Sequence, residues 1–224
     1  MERRLLREDL DPLASTCRVA LSVSWNDGFY SNRYTWAWLS ATWAINSTNI
    51  LAFIGSGNTR PTDVATQATP LFQNNEQLYN VIYIHNSGPW TIQPYLQYTH
   101  VPRIPKIGAL HTADTYGAAL LASYKVAKGS KVGGLKLDGV SLPFRVEYIA
   151  STGTLANGAP NLLYGPGSKA WSVTVTPTYQ RNIFFARPEF SFVKAMNTTP
   201  GMAFGPAGTN TTQVRVLLEV GVMF

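Results

Sequence analysis

The sequence predicts an all-β fold, an antiparallel transmembrane β-barrel with about ten strands in this chain. Three observations predict it. Apolar and polar residues alternate in segment after segment, charged residues make up only 13% of the chain while aromatic residues reach 12%, and the mean hydropathy lies near zero. Since successive side chains of a strand point to opposite faces, this alternation gives each strand one apolar and one polar face, as in membrane barrels.

The chain divides into a charged non-barrel segment, residues 1–16, and one β-barrel domain, residues 17–224. Met1 to Asp11 is highly charged and contains none of the apolar core that a signal peptide requires. A secreted barrel must carry such a peptide. We therefore expect the chain to be the incomplete carboxy-terminal part of a longer bacterial outer-membrane protein whose gene start is truncated or misplaced.

Nine segments ahead of the last one carry the alternation and are predicted strands. They are residues 18–26, 33–45, 49–57, 76–85, 90–98, 114–126, 142–148, 171–180 and 184–192. The facing of two of them, 49–57 and 76–85, stays open because both of their faces contain apolar residues.

The last segment, Thr212 to Phe224, has the clearest pattern. Every second residue from Val214 to Phe224 is apolar, and the opposite face is mostly polar. A strand of this length spans a bilayer when tilted. The ending resembles the terminal strand of bacterial outer-membrane barrels, whose assembly machinery recognises a strand that closes on Phe. Phe224 is therefore the predicted assembly signal, and that machinery is a predicted partner.

Short and long connections alternate between the predicted strands. The short ones are residues 46–48, 86–88 and 181–182, and the long ones are 58–75, 102–113, 152–169 and 196–211. Residues 127–139 form a longer turn on the side of the short connections. All four long connections fall at the end opposite the carboxy terminus. Because bacterial barrels have short periplasmic turns and long extracellular loops, the terminus is predicted to face the periplasm.

Alternation alone leaves open which face of the strands meets solvent. A soluble ligand-binding barrel would bury the apolar face and expose the polar one. Outer-membrane lipid is the predicted partner of the apolar face, because the polar face carries mainly uncharged Ser, Thr and Gln, which is poor surface chemistry for a soluble domain. Aromatic residues such as Trp90, Tyr98, Trp171 and Tyr179 also lie at the ends of the apolar face, where interfacial girdles sit.

Four stretches of sequence carry a family resemblance. They are residues 27–34 (DGFYSNRY), 88–95 (GPWTIQPY), 161–168 (NLLYGPGS) and 220–224 (VGVMF). From about Val19 to the end, the chain resembles the OmpL-like β-barrel porin family. Members of that family are longer and begin with a signal peptide, so the resemblance implies that this chain corresponds to their carboxy-terminal portion.

Eight charged residues on the polar face are predicted to line a lumen. They are Arg18, Lys125, Arg145, Glu147, Arg187, Glu189, Arg215 and Glu219. Arg145 with Glu147, Arg187 with Glu189, and Arg215 with Glu219 form three predicted pairs of base and acid. Charges in such positions set the ion preference of wide pores, and five bases against three acids predict a modest preference for anions.

The predicted function is passive diffusion of small hydrophilic solutes or ions across the outer membrane, without cofactor, metal or catalysis. The alternative is a non-conducting structural or adhesive barrel, in which these charges neutralise one another and the long loops bind.

His85, His100 and His111 lack any recognisable catalytic arrangement, although His111 and Asp114 could meet on one loop. Cys17 is the only cysteine, which excludes a disulfide framework. Basic residues are scattered despite a net charge of +6, so no nucleic-acid partner is predicted.

Overall fold

The computed structural model describes residues 18–25, 36–60, 75–132 and 135–222 of the chain. The predicted non-barrel segment, Cys17 and Phe224 lie outside these ranges. Within them the structure is all-β, with two 3-10 helices of three residues each at Pro105–Ile107 and Leu155–Asn157. The strands are β1 (Arg18–Trp25), β2 (Trp36–Ala44), β3 (Asn49–Asn58), β4 (Gln77–Ser87), β5 (Trp90–Val101), β6 (Ala113–Lys125), β7 (Lys131–Val132), β8 (Leu135–Lys136), β9 (Val140–Ser151), β10 (Lys169–Val175), β11 (Thr178–Arg181), β12 (Phe184–Met196) and β13 (Thr212–Val222).

Eleven of these strands form one antiparallel sheet in which successive strands are spatial neighbours, and β7 and β8 form a separate two-stranded sheet between β6 and β9 in the sequence. β10 and β11 share a single position between β9 and β12, because Val175 pairs with Phe144 and Tyr179 pairs with Val140 in one unbroken register. The strand is interrupted between them at Pro177, which has no N–H to donate. Ten strand positions result, as predicted. The sheet is not closed into a barrel, since β1 and β13 each have one partner among the described residues.

The connections confirm the predicted alternation of short and long, with small shifts in their bounds. Gly88 and Asn182 open two-residue turns with positive φ angles of 56° and 54°, a conformation that suits the twist of a β-hairpin. The longer turn after β6 contains a small hairpin, in which β7 pairs with β8. Several strands extend beyond the predicted segments toward the long loops. β9 continues to Ser151 and β12 to Met196.

The two faces of the sheet differ in chemistry, and the cavities lie against one of them. We call the face that carries Leu21, Leu96 and Leu218 the convex face and the opposite one the concave face. All ten strand positions present large apolar side chains on the convex face to the exterior. The most exposed, at 61–72%, are Val19, Leu21, Val23, Leu96, Phe184, Val214, Val216, Leu218 and Val220. A surface this apolar and this continuous suits lipid rather than water.

The register settles the facing of β3 and β4, which the sequence leaves open. Ile50 pairs with Ile84, and Ala52 pairs with Ile82, all on the concave face. Phe53 lies on the convex face of the same hairpin and is exposed. Apolar residues therefore occupy both faces of this hairpin, which is why its alternation is weak.

Most buried residues of the concave face lie at one end, under the long loops. Those with at most 8% exposure there are Asn58, Thr99, Val101, Ala113, Thr115, Ser151, Ala170 and Ala195. Ala109 and Ala159, in the loops 102–112 and 152–168, are also buried. Toward the short turns the concave face is open, since Lys125 is exposed. The long loops thus fold inward over one end of the sheet.

Candidate functional site on the concave face

A cavity of about 450 Å³ lies against the concave face and is bounded by strands from β5 to β13. Tyr95 and Gln97 of β5, Glu147 of β9, Ser172 of β10 and Arg215 of β13 line it. A second cavity of about 270 Å³ shares the lining residues Arg145 and Thr174 with it and is also lined by Gln93 and Glu189, among other residues. The alternation places these side chains on one face, and the curvature of the sheet brings six strand positions around the same space.

Glu147 is the centre of a hydrogen-bonded cluster in the larger cavity. The Tyr95 hydroxyl donates to its Oε1 at 2.8 Å, and the Ser172 hydroxyl donates to its Oε2 at 3.1 Å. Arg145 Nε lies 3.1 Å from the same Oε2. Tyr95 and Glu147 sit in one register row with only Ala119 between them, and this small side chain leaves the gap that the phenol crosses.

The carboxy-terminal strands hold two more ion pairs, and their partners correct the predicted ones. Arg187 pairs with Glu219, and Arg215 Nη2 lies 2.9 Å from Glu189 Oε1. Arg187 stands directly opposite Glu219 in the register, whereas Glu189 is two residues further along the same strand. Directly opposed side chains are closer than residues two apart in a strand, roughly 5 Å against 6.6 Å, which favours Glu219 as the partner of Arg187. Arg215 stands opposite Ser191 and reaches Glu189 diagonally. Only the pair of Arg145 and Glu147 is as predicted.

These ion pairs fix the positions of charged groups on the concave face and contribute little to the stability of the fold. Their six side chains are 26–54% exposed, and ion pairs that solvent reaches contribute little to stability. Each acid is matched by a neighbouring arginine. The other two predicted bases lie near the short turns, where Lys125 pairs with Ser141 and the backbone of Arg18 pairs with Ala44.

The convex face carries two polar clusters near its rims. At the end of the long loops, Asp114 Oδ1 lies 2.7 Å from His100 Nδ1 and accepts a hydrogen bond of 2.7 Å from the Tyr98 hydroxyl. At the other end, His85 Nδ1 lies 2.8 Å from Asn49 Oδ1. Tyrosine is typical of the interfacial girdles of membrane proteins, because its ring is apolar and its hydroxyl group is polar.

The partner of Asp114 is His100 and not His111, the neighbour that the sequence suggested. His100 and Asp114 are directly opposed in the hairpin of β5 and β6, whereas His111 is exposed in the loop. This pair could have been predicted only from the register of the β5–β6 hairpin. In the part of the chain that the structure describes, no three His, Cys, Asp or Glu residues are arranged to hold a metal ion.

A broad antiparallel sheet with an apolar convex face and a polar, charged concave face defines a porin-like β-barrel protein. Residues 13–224 match the family described as putative beta-barrel porin-2, OmpL-like. The match covers nearly the whole chain, so the protein belongs to this family. No curated protein matches the chain. Within the described residues, no helix has the length and apolar character needed to cross a membrane.

Proposed function

We propose that this chain forms the wall of an outer-membrane pore through which small hydrophilic solutes and ions diffuse passively. One observation carries the proposal: every strand position turns large apolar side chains outward, and the inner side of the sheet carries a cavity lined by the charged residues Arg145, Glu147 and Arg215. That arrangement is the reverse of a soluble barrel, whose ligands contact an apolar interior. Its membership of a porin-like family also suggests an outer-membrane location.

Permeation in this proposal needs no cofactor and no covalent step. A solute that enters the concave side exchanges part of its hydration shell for the hydroxyl and amide groups of residues such as Tyr95, Gln97 and Ser172. The ion pairs of Arg145, Arg187 and Arg215 with their acids provide fixed charges of both signs along the wall. Outer-membrane lipid covers the convex face.

Discrete conductance steps are the expected result when the folded protein is added to planar lipid bilayers. The protein should be expressed with any in-frame strands that its gene encodes upstream of Met1, so that the barrel can close. Folding is confirmed independently by a change in gel mobility on heating. Absence of steps from protein verified as folded would overturn the proposal and favour the structural or adhesive barrel. The inward-folded long loops, which bury one end of the concave face, are the observation that supports this alternative.

We further expect a modest preference for anions, measured as a reversal potential in a salt gradient. Five bases against three acids occupy the candidate wall positions. Replacing Arg145, Arg187 and Arg215 together with Gln leaves two bases against the three acids and should shift the reversal potential toward cations. Lys128→Gln, in the exposed turn after β6, is the matched control and should change nothing. A cation-selective parent protein, or a triple variant with the parent's potential, would reject this assignment.

A further inference from the structure

We propose that Asn161–Ser168 is a fixed constriction segment that sets the upper size of permeating solutes, an inference that rests on the proposed pore function. Leu163 and Tyr164 line the 450 Å³ cavity together with Glu147 and Arg215 of the strand wall. A loop residue that shares a cavity with residues of the concave face must project inward from the rim. The segment therefore narrows the space at this level.

The segment is held in shape by its own hydrogen bonds. Asn161 Oδ1 accepts from the backbone N–H groups of Leu163 at 3.2 Å and Gly165 at 2.7 Å. The backbone N–H of Tyr164 donates to Ser168 Oγ at 3.0 Å. An Asn side chain that satisfies two backbone donors replaces a regular turn and restricts the backbone between them.

The end of the segment at Ser168 is hydrogen-bonded to strand β9. The backbone N–H of Ser151 donates to the Ser168 carbonyl at 2.8 Å, and the Ser151 hydroxyl donates to the same oxygen at 3.1 Å. Ser168 is fully buried, and Ser151 is 8% exposed. Buried hydrogen bonds of this kind are costly to break, because the freed groups have no access to water. The segment consequently keeps a constant position relative to β9.

The loop between β12 and β13 also contacts the segment. The backbone N–H of Thr199 donates to the Tyr164 carbonyl at 2.9 Å, and the rings of Tyr164 and Phe204 meet edge to face with their centroids 5.0 Å apart. Gly165 has a φ of +112°, and a Cβ atom there would overlap Thr199. This position therefore accepts only glycine, and the two loops lock together.

The constriction presents an uncharged surface to the charged wall. The Tyr164 phenol is neutral at physiological pH because the ordinary pKa of tyrosine is about 10, and burial raises this pKa further. A solute passing this level meets Leu163 and Tyr164 on one side and the Glu147 and Arg215 side chains on the other. Size is set by the loop and charge preference by the strands, which makes the two properties separable by mutation.

The test changes the segment in both directions and measures single-channel conductance and the largest polyethylene glycol that enters the pore. Leu163→Ala combined with Tyr164→Ala should raise conductance roughly 1.5-fold or more and admit larger polymers, whereas Leu163→Trp should lower both. Leu155→Ala, exposed in the same loop and outside the cavity, is the matched control and should leave conductance unchanged. Each variant is first checked for folding by its gel mobility on heating.

Two outcomes separate this inference from the pore itself. Conductance steps of unchanged size in both the enlarging and the narrowing variant would overturn the constriction and leave the pore function standing. Parent protein that is folded and gives no steps would overturn the pore function and the constriction together. A changed reversal potential with no change in size limit would also contradict the inference, because it would assign Leu163 and Tyr164 to charge selection.

Discussion

Replacing Leu96 with Arg is expected to destabilise the folded protein in lipid by about 2–4 kcal/mol, the cost of a cationic side chain near the bilayer midplane on a barrel exterior. Leu96 lies in the middle of β5 on the convex face and is 61% exposed. In lipid its replacement by Arg puts charge into hydrocarbon. In water the same change at an exposed site would be close to neutral.

The neighbouring residue supplies the control for this prediction. Gln97→Arg introduces the same side chain one position later, where it faces the 450 Å³ cavity that also contains Glu147. It should leave stability nearly unchanged. Both variants are compared by urea unfolding in lipid vesicles and by the gel shift on heating. Equal stabilities, with protein that stays dispersed without detergent, would contradict the membrane assignment and support a soluble barrel.

The sequence predicts strand number because period-2 alternation is a local property of the chain, and it predicts the facing of every strand position except β3 and β4. Each of the ten predicted segments coincides with a strand position, and the apolar face of β13 is exposed from Val214 to Val222 as its pattern indicates. The predicted ends are less accurate. Near the long loops, residues such as Ser151 and Ala195 are covered by other segments, so polarity no longer distinguishes the faces there.

Partners across the sheet could not be predicted in the same way, since they depend on register. The sequence places Arg187 beside Glu189, and the register places it opposite Glu219. The contact between His100 and Asp114 has the same origin. A shift of two residues would preserve every face and change every partner. The charged face was thus predictable as a surface, whereas only the pair within one strand, Arg145 with Glu147, was predicted correctly.

The constriction segment lay beyond sequence reasoning for a further reason. Its shape depends on hydrogen bonds to Ser151 and Thr199, which come from a different strand and a different loop. Turn residues such as Gly165 mark the segment as a loop without giving its direction. The position of the segment results from the packing of two loops and strand β9, and no local pattern encodes that packing.

The concave face is chemically uneven, which affects where solutes travel. Arg145, Arg187, Arg215 and their acids all lie on β9, β12 and β13, whereas the concave face of β3 and β4 is largely apolar, as the pairing of Ile50 with Ile84 shows. Fixed charge attracts ions only over about 8 Å at physiological salt. Ions are therefore expected to follow the charged strands.

The edge of the sheet at β13 is relevant to the predicted insertion of the protein into the outer membrane. β13 pairs with β12 along Thr212 to Val222, and its other edge has no strand partner among the described residues. An unpaired strand edge is a template for adding another strand. This strand leads directly into Phe224, the predicted signal for the barrel assembly machinery.

Deleting Phe224 should remove most of the protein from the outer membranes of expressing bacteria and leave its folding into detergent unchanged. The reason is that Phe224 is the predicted signal for the assembly machinery, whereas alternation along the strands, which the deletion leaves intact, sets the fold. Val222→Ala, which trims an exposed convex-face residue of β13 and keeps the aromatic end, is the matched control and should assemble normally. The measurement is the amount of heat-modifiable protein in isolated outer membranes. Equal amounts for the deletion and the parent would show that assembly does not depend on Phe224, and loss of folding in detergent would assign the residue to the fold instead.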